Sequence, residues 1–392
     1  MKKRNLFAVI ALAIVFCLSL TACSEDGGGE GEKSKGSLEL QIEENVAISA
    51  DESAADFVAK VKIGWNLGNT LDGSPNETSW GNPKTTKEMI TTIKNAGFNT
   101  IRIPVSWSSH APKSSNYAIN PTWMSRVKEV VDYAVDNNLY IILNSHHDNG
   151  IFKLYNNEIE DSKTALKSIW TQIANTFKDY DYNLIFEGLN EPRTINSEAE
   201  WNGGTSEERN NLNALHQLFV DTVRETGGNN EKRILMVPTY AASASSNAVS
   251  ALTIPNDPQN DVKKIIVSIH SYVPNNFTFP WGNAKTWSKS NSSDTSSIIS
   301  FFNSANSTFV SKGIPVIAGE FGAVNKNNEN ARAEWAEYYV SYGKSKKIPC
   351  ILWDNGSFSG EGELFGFLNR GNNTLPYPKV HEGLMRGAGV AN

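Results

Sequence analysis

The chain has too few cysteines to be held together by disulfide bonds. Of its 392 residues only three are cysteine, and two of these, Cys17 and Cys23, lie within or directly after an N-terminal apolar segment. The third, Cys350, stands alone in an apolar run, where we predict an inert core residue and no disulfide. Stability must therefore come from a large buried core, and a folded region of about 340 residues is long enough to form one.

The chain also lacks an excess of basic charge. It carries 36 Lys and Arg against 42 Asp and Glu, a formal charge of −6, and loss of residues 1–22 would remove Lys2, Lys3 and Arg4 but no acid, giving −9. Nucleic-acid binding needs a basic patch and is not expected. A neutral ligand is compatible with this charge. The 10 Trp and 12 Tyr supply flat apolar faces that suit sugars, although they are also ordinary core material.

Long apolar runs are missing except at residues 6–20. This run follows the charged residues 2–4 and ends in Leu-Thr-Ala-Cys, which is typical of a bacterial lipoprotein signal peptide over 1–22 with lipid on Cys23. An ordinary secretory signal is the alternative. Residues 23–37 are polar and glycine-rich and predict a flexible tether. We therefore expect an exported protein, held by lipid at the cell surface or periplasmic face, or secreted.

Eight short apolar runs recur along residues 38–392. They predict strands at 61–65, 100–104, 139–144, 184–189, 234–238, 265–269, 315–318 and 350–353. Helical patterns separate most of them, at 86–96, 124–137, 162–177, 207–226, 296–311 and 331–343, and a short helix capped by Asp51 or Ser53 precedes them. Apolar strands alternating with helices indicate a parallel sheet covered on its outer face. Eight such units predict an α/β fold, a single (β/α)₈ TIM barrel.

Polar residues cluster just after the predicted strands, where barrel enzymes carry their active sites. No glycine-rich dinucleotide fingerprint follows the first strand, and we expect no cofactor. Two glutamates, Glu191 and Glu320, each follow an apolar run, where a carboxylate costs free energy unless it is used or paired. Such a pair fits the two acids of glycoside hydrolysis. A structural ion pair of both glutamates with Arg102 is the alternative.

The strand-end motifs resemble glycoside hydrolase family 5. They are GWNLGNTLD at 64–72, IRIPVSW at 101–107, NSHHD at 144–148, NEP at 190–192, HSY at 270–272, GEFG at 319–322 and WDNG at 353–356. Within the family they most resemble the subfamily 4 endoglucanases, in order over essentially the whole folded chain. The resemblance implies a retaining endo-β-1,4-glucanase that acts on cellulose-like glucans in polysaccharide degradation.

The same resemblance implies roles for individual residues. Glu191 matches the acid/base and Glu320 the nucleophile, while Arg102 and Tyr272 match groups that support Glu320. Because the acid must hold a proton, we expect partial burial and the charge of Glu320 to raise the pKa of Glu191. The resemblance also covers the residues that contact the sugar. Asn190 matches the asparagine that binds the 2-hydroxyl, and His146 and His270 match two histidines of the cleavage subsite. Trp353 matches the tryptophan under the sugar in that subsite.

Other polar and aromatic residues near the strand ends are candidates for substrate binding or catalytic support. They are Asn66, Trp80, Trp107, His110, His147 and Asn355. The loop aromatics among them have loop packing as the alternative, as do Trp123, Phe277, Phe279, Trp281 and Trp287. Trp170 and Trp335 lie in helical patterns and are predicted to be core.

A metal site is not predicted. Although His146 and His147 are adjacent, neighbouring strand residues point to opposite faces, and no further His or Cys cluster offers ligands. The preferred polymer stays open, with xyloglucanase, lichenase and mannanase activities as alternatives on the same fold. A non-catalytic glycan-binding lipoprotein is a further alternative. We expect a monomer whose partners are a β-glucan and, through the lipid alone, a membrane.

Overall fold

The computed structural model describes residues 38–258 and 262–391, and in them eight parallel strands close into a barrel. The strands are β1 Gly64–Leu67, β2 Thr100–Ile103, β3 Tyr140–Asn144, β4 Leu184–Glu187, β5 Leu235–Pro238, β6 Ile265–His270, β7 Val316–Phe321 and β8 Cys350–Asp354. Each pairs with its sequence neighbour, and β8 closes on β1. The predicted (β/α)₈ barrel is confirmed. The predicted signal peptide and tether lie outside the described residues.

Ten α-helices occur in this part of the chain. They are α1 Ala54–Lys60, α2 Lys87–Asn95, α3 Pro121–Asp136, α4 Ile159–Thr176, α5 Ser206–Glu225, α6 Ser246–Ala251, α7 Asn275–Thr278, α8 Ser292–Thr308, α9 Glu329–Ser345 and α10 Pro378–Ala388. The six long helices predicted between strands correspond to α2, α3, α4, α5, α8 and α9. Helix α10 was not predicted, although its buried Val380, Leu384 and Ala388 have helical spacing. Among these helices, none has the length and apolar character needed to cross a bilayer.

The strands bury two kinds of side chain, because successive residues point to opposite faces. One set, which includes Ile142, Ile185 and Ile317, packs with α1 in a cluster of its own inside the barrel. The other set packs outward against the helices. The next inward-facing residues along the same strands, two positions beyond Ile142 and Ile185, are Asn144 and Glu187, and both are fully buried. The barrel interior is therefore apolar at its base and polar at the carboxyl ends of the strands.

Strand β7 is irregular at the site. It runs to Phe321, three residues past its predicted end, so Glu320 lies inside the strand. The pairing with β6 shifts between Ile269 and His270, which brings His270 opposite Glu320. A local bulge of this kind redirects side chains beside active sites.

Helix α1 closes the base of the barrel, and its packing generates a test of stability. Ser53 caps it in a capping box with Asp56, and the ring of Phe57, fully buried, lies 5.4 Å from that of Tyr140. We expect Phe57→Ala to lower the free energy of unfolding by about 3 kcal/mol through the cavity it leaves. Denaturant titration measures this. The control Val46→Ala, at a side chain 68% exposed, should change stability little, and equal stability of the two variants would contradict the packing argument.

Candidate active site

Arg102 lies at the centre of the polar layer. Its Nη1 donates to Oε1 of Glu320 at 2.8 Å and to Oδ1 of Asn66 at 2.9 Å, and its Nη2 donates to Oδ1 of Asn190 at 2.7 Å. Its Nε donates to Oε2 of Glu187 at 2.7 Å. Burial alone would lower the pKa of Arg102, but the charges of Glu187 and Glu320 raise it above its ordinary value. Arg102 therefore stays cationic and joins residues of β1, β4 and β7 and of the loop after β4.

Glu320 is held by two donors. Oε1 accepts from Arg102, and Oε2 accepts from the hydroxyl of Tyr272 at 2.7 Å. Burial and the charge of Glu320 raise the pKa of Tyr272 well above its ordinary value. The phenol therefore keeps its proton and donates a hydrogen bond to Glu320. Both oxygens of Glu320 are thus oriented, as the sequence-based roles of Arg102 and Tyr272 require.

Glu191 has a different set of partners. His270 Nδ1 lies 2.8 Å from its Oε1, and Arg193 Nη1 donates to its Oε2 at 3.2 Å. Burial raises the pKa of Glu191, but the hydrogen bond and charge of His270 and the charge of Arg193 outweigh it and lower the pKa below its ordinary value. The expected rise in this pKa is therefore wrong, because it took account of burial and Glu320 but not of His270 or Arg193.

The two carboxylates lie close together. One oxygen of Glu191 and one of Glu320 are within 4.8 Å of each other, with His270 between them, its Nδ1 3.6 Å from Oε2 of Glu320. Retaining glycosidases place their carboxyl groups about 5–5.5 Å apart, whereas inverting enzymes need about 6.5–9.5 Å to admit a water. The spacing fits direct attack by one carboxylate.

The rings of His146 and Trp353 are parallel, with their centroids 5.6 Å apart. Burial lowers the pKa of His146 well below its ordinary value, so its ring is neutral. Nδ1 faces the amide nitrogen of Asn144 at 3.1 Å and accepts from it. The ring proton therefore sits on Nε2, which lies 3.9 Å from Oε1 of Glu320.

Three further candidates lie at or beside the cleft. Asn66 is buried beneath Arg102, and its amide donates to the carbonyl of Gly319 at 3.0 Å, so it supports Arg102 from below. His147 is partly exposed, with its ring 5.4 Å from that of Trp80. Asn355 donates to the carbonyl of Glu363 at 2.7 Å and shapes the loop after β8.

Several aromatic candidates are packing residues. Trp107 is fully buried and its Nε1 donates to the carbonyl of Asn144 at 3.0 Å, so it has no face for a sugar, which corrects its prediction as a substrate-binding residue. His110 stacks on the buried Trp123, with the ring centroids 3.9 Å apart. Phe277 and Trp287 are also buried, and Trp170 and Trp335 are core as predicted. Trp80 and Trp281 keep exposed faces, at 44% and 66%.

Two residues of the site were missed. Glu187 lies in the apolar run before Asn190 and Glu191. An acid within a buried strand is rare unless it is paired, so its position there could have indicated a site residue. Arg193 follows the Asn-Glu-Pro motif directly, and its contact with Glu191 could not be read from one sequence. It also contacts Glu200.

Within residues 38–258 and 262–391, two groups of His and carboxylate atoms are close enough to hold a metal ion, the atoms of each lying within 4.8 Å of one another: Glu191 with His270 and Glu320, and Asp72 with His146 and His147. In the first, hydrogen bonds from Arg102 and Tyr272 already occupy Glu320. In the second, backbone amides at Asn69 and Thr70 occupy Asp72. Catalysis without a metal stays a prediction.

The closed barrel and its two adjacent carboxylates at the carboxyl ends of the strands define a glycoside hydrolase. Comparison with known families agrees. The family model for cellulase, glycosyl hydrolase family 5, matches residues 66–359. The chain belongs to this family.

Named relatives are similar over most of the chain. Endoglucanase B of Neocallimastix patriciarum is 47% identical over 349 residues, which cover 86% of this chain and 72% of that protein. A GH5-4 broad specificity endoglucanase from Ruminococcus champanellensis, solved with bound cellotriose, is 46% identical with a TM-score of 0.83, covering 86% of this chain and 99% of that one. A GH5 family lichenase from Caldicellulosiruptor sp. F32 is 43% identical with a TM-score of 0.82, covering 89% and 98%.

The contact of Arg193 with Glu191 predicts a change in pH dependence. Because the charge of Arg193 lowers the pKa of Glu191, Arg193→Gln should raise that pKa. The alkaline limb of kcat/KM reports loss of the acid's proton and should move to higher pH, by about half a unit. Rates on soluble β-glucan between pH 4 and 9 measure it. Arg193→Lys keeps the charge and is the matched control; an unmoved limb in Arg193→Gln would contradict the assigned effect.

Proposed function

We propose that this chain is an endo-β-1,4-glucanase that cleaves internal bonds of β-glucans with retention, with Glu320 as nucleophile and Glu191 as acid/base. The observation that carries the proposal is the pair of carboxylates within 4.8 Å, each with partners suited to its role. The retaining character of the family and the endoglucanase names of its relatives support it.

In the first step Glu320 attacks the anomeric carbon while the departing sugar oxygen takes a proton from Glu191. Arg102 and Tyr272 fix both oxygens of Glu320, so the attacking lone pair is oriented before substrate arrives. Nδ1 of His270 lies 2.8 Å from Oε1 of Glu191, within hydrogen-bond distance, and the negative charge of Glu320 favours a proton on Glu191.

In the second step Glu191 acts as a base on water. Once Glu320 is a glycosyl ester its negative charge is gone, and with it one influence that favours a proton on Glu191. Arg193 and His270 then favour the carboxylate form. Water attacks the anomeric carbon, its proton passes to Glu191, and the ester bond to Glu320 breaks.

The remaining residues position the sugar. Oδ1 of Asn190 accepts from Arg102, which leaves the amide nitrogen of Asn190 to donate to the sugar 2-hydroxyl. Such a bond strengthens as positive charge develops at the anomeric carbon. The parallel rings of His146 and Trp353 would offer apolar contact to the same sugar. Trp80 and Trp281, with their exposed faces, are suited to sugars further along the cleft.

Substitution of the two glutamates tests the roles. Glu320→Gln should lower kcat by about 10⁴-fold or more and keep polymer binding, since it removes the nucleophile and preserves shape. Glu191→Ala should lose about 10²–10⁴-fold on polymers, with less loss on substrates whose leaving group needs no proton. Reducing-end release from carboxymethylcellulose, barley β-glucan, xyloglucan, xylan and glucomannan measures both and ranks the polymers.

The controls separate the alternatives. A wild-type protein that binds glucan but releases no reducing ends would identify a glycan-binding protein and overturn the proposal. Loss of activity in EDTA, restored by a divalent ion, would point to metal-dependent hydrolysis. Highest activity on xyloglucan, mixed-linkage glucan or glucomannan would keep the mechanism and change the preferred polymer.

We also propose that the chain is an exported lipoprotein, anchored through Cys23, that acts as a monomer. The signal-like residues 1–22 support the anchor, and the assembly of the whole site within one barrel supports the monomer. Cys23→Ala should move activity from the membrane fraction to the soluble fraction of an expressing bacterium, since the lipid is the membrane contact. Equal membrane partition of Cys23→Ala and wild type would refute the anchor.

A further inference from the structure

Glu187 is a fully buried carboxylate that the mechanism above does not use. It lies at the end of β4 with an exposed fraction of 0%. Its Oε2 accepts from Nε of Arg102 at 2.7 Å and from Nδ2 of Asn144 at 3.0 Å. Its Oε1 has no hydrogen-bond partner among the residues that the structure describes. A charge buried this way is costly, and its stabilisation depends on Arg102 and Asn144.

Each of the two donors leads from Glu187 to a different part of the site. Arg102 continues to Glu320 and to Asn190. Asn144 continues to Nδ1 of His146, which fixes the ring tautomer. Among the described residues Glu187 has no hydrogen bond to either carboxylate of the cleft. It holds Arg102, which orients Glu320 and Asn190, and Asn144, which orients His146.

Glu187 also competes with Glu320 for the charge of Arg102. Oε2 of Glu187 lies 2.7 Å from Nε of Arg102, and Oε1 of Glu320 lies 2.8 Å from its Nη1. In a site that excludes water, a cation paired with one carboxylate alone would attract it strongly. Such pairing would make Glu320 a weaker nucleophile and a better leaving group. Sharing the cation between two anions moderates this effect.

We infer that Glu187 is a positioning residue that holds Arg102 and Asn144 beneath the active site and takes a share of the Arg102 charge that would otherwise fall on Glu320. The inference rests on the proposed function and deepens it. It assigns a catalytic consequence to an acid that lies outside the acid/base and nucleophile pair.

The test is Glu187→Gln, which keeps the shape of the side chain and removes its charge. We expect kcat to fall by about 10²-fold with KM within about twofold, since Glu187 does not touch the sugar. The loss of a negative charge should also move the alkaline limb of kcat/KM to lower pH, because a proton on Glu191 is then held less strongly. Trapping the glycosyl-enzyme with a 2-fluoro glycoside should show slowed formation of the ester.

Two control variants separate charge from structure. Glu208→Gln removes another fully buried glutamate, which caps α5 and contacts Tyr240, and should leave the pH profile unchanged. Glu187→Asp keeps the charge but withdraws it by one methylene, so kcat should fall while the alkaline limb stays at the wild-type pH. A folded Glu187→Gln with wild-type kcat and pH profile would overturn the inference.

The inference can also be tested if a Glu187 variant does not fold. If Glu187→Gln does not fold, wild-type kcat in a folded Glu187→Asp would overturn the inference. If neither folds while Glu208→Gln does, the role is structural alone and the inference fails. Failure of the proposed function gives a different result, because the wild-type protein itself would then release no reducing ends.

Discussion

The buried guanidinium of Arg102 is the constraint on which the active site depends. A cation inside a dry barrel costs several kcal/mol unless it is paired and hydrogen-bonded. Here four of its N–H groups find oxygen acceptors, on Asn66, Glu187, Asn190 and Glu320. These acceptors come from three different strands and a loop. The arrangement therefore exists only when the barrel is closed in the correct register, which ties folding of the barrel to assembly of the site.

That register explains the division of the barrel interior. Ladder pairing places Asn66 beside Arg102 and Asn144 beside Glu187, so neighbouring strands supply adjacent polar residues at the same height. Two residues closer to the base, the inward positions of β3 and β4 are Ile142 and Ile185 and pack with α1. The apolar base stabilises the closed barrel, and the polar layer above uses the rigidity that this packing provides.

The sequence was sufficient to predict the barrel and the position of both glutamates at the carboxyl ends of its strands, because strand periodicity and strand-end position are local signals. Contacts between distant residues were not local signals. The approach of His270 to Glu191 depends on the shifted pairing beside Glu320, and it reverses the expected direction of the Glu191 pKa. Trp107 likewise looked like a loop aromatic, and only the folded chain shows it buried with Asn144.

Glu320 and Glu191 have hydrogen-bond partners of different chemistry. Glu320 accepts from Arg102 and from Tyr272, and the pKa of each donor is raised, so neither gives up a proton during turnover. Glu191 is paired with a histidine, the side chain whose proton is most readily exchanged near neutral pH. A nucleophile needs an orientation that does not change, whereas an acid/base must release a proton and regain it. The partners therefore support the proposed roles of Glu320 as nucleophile and Glu191 as acid/base.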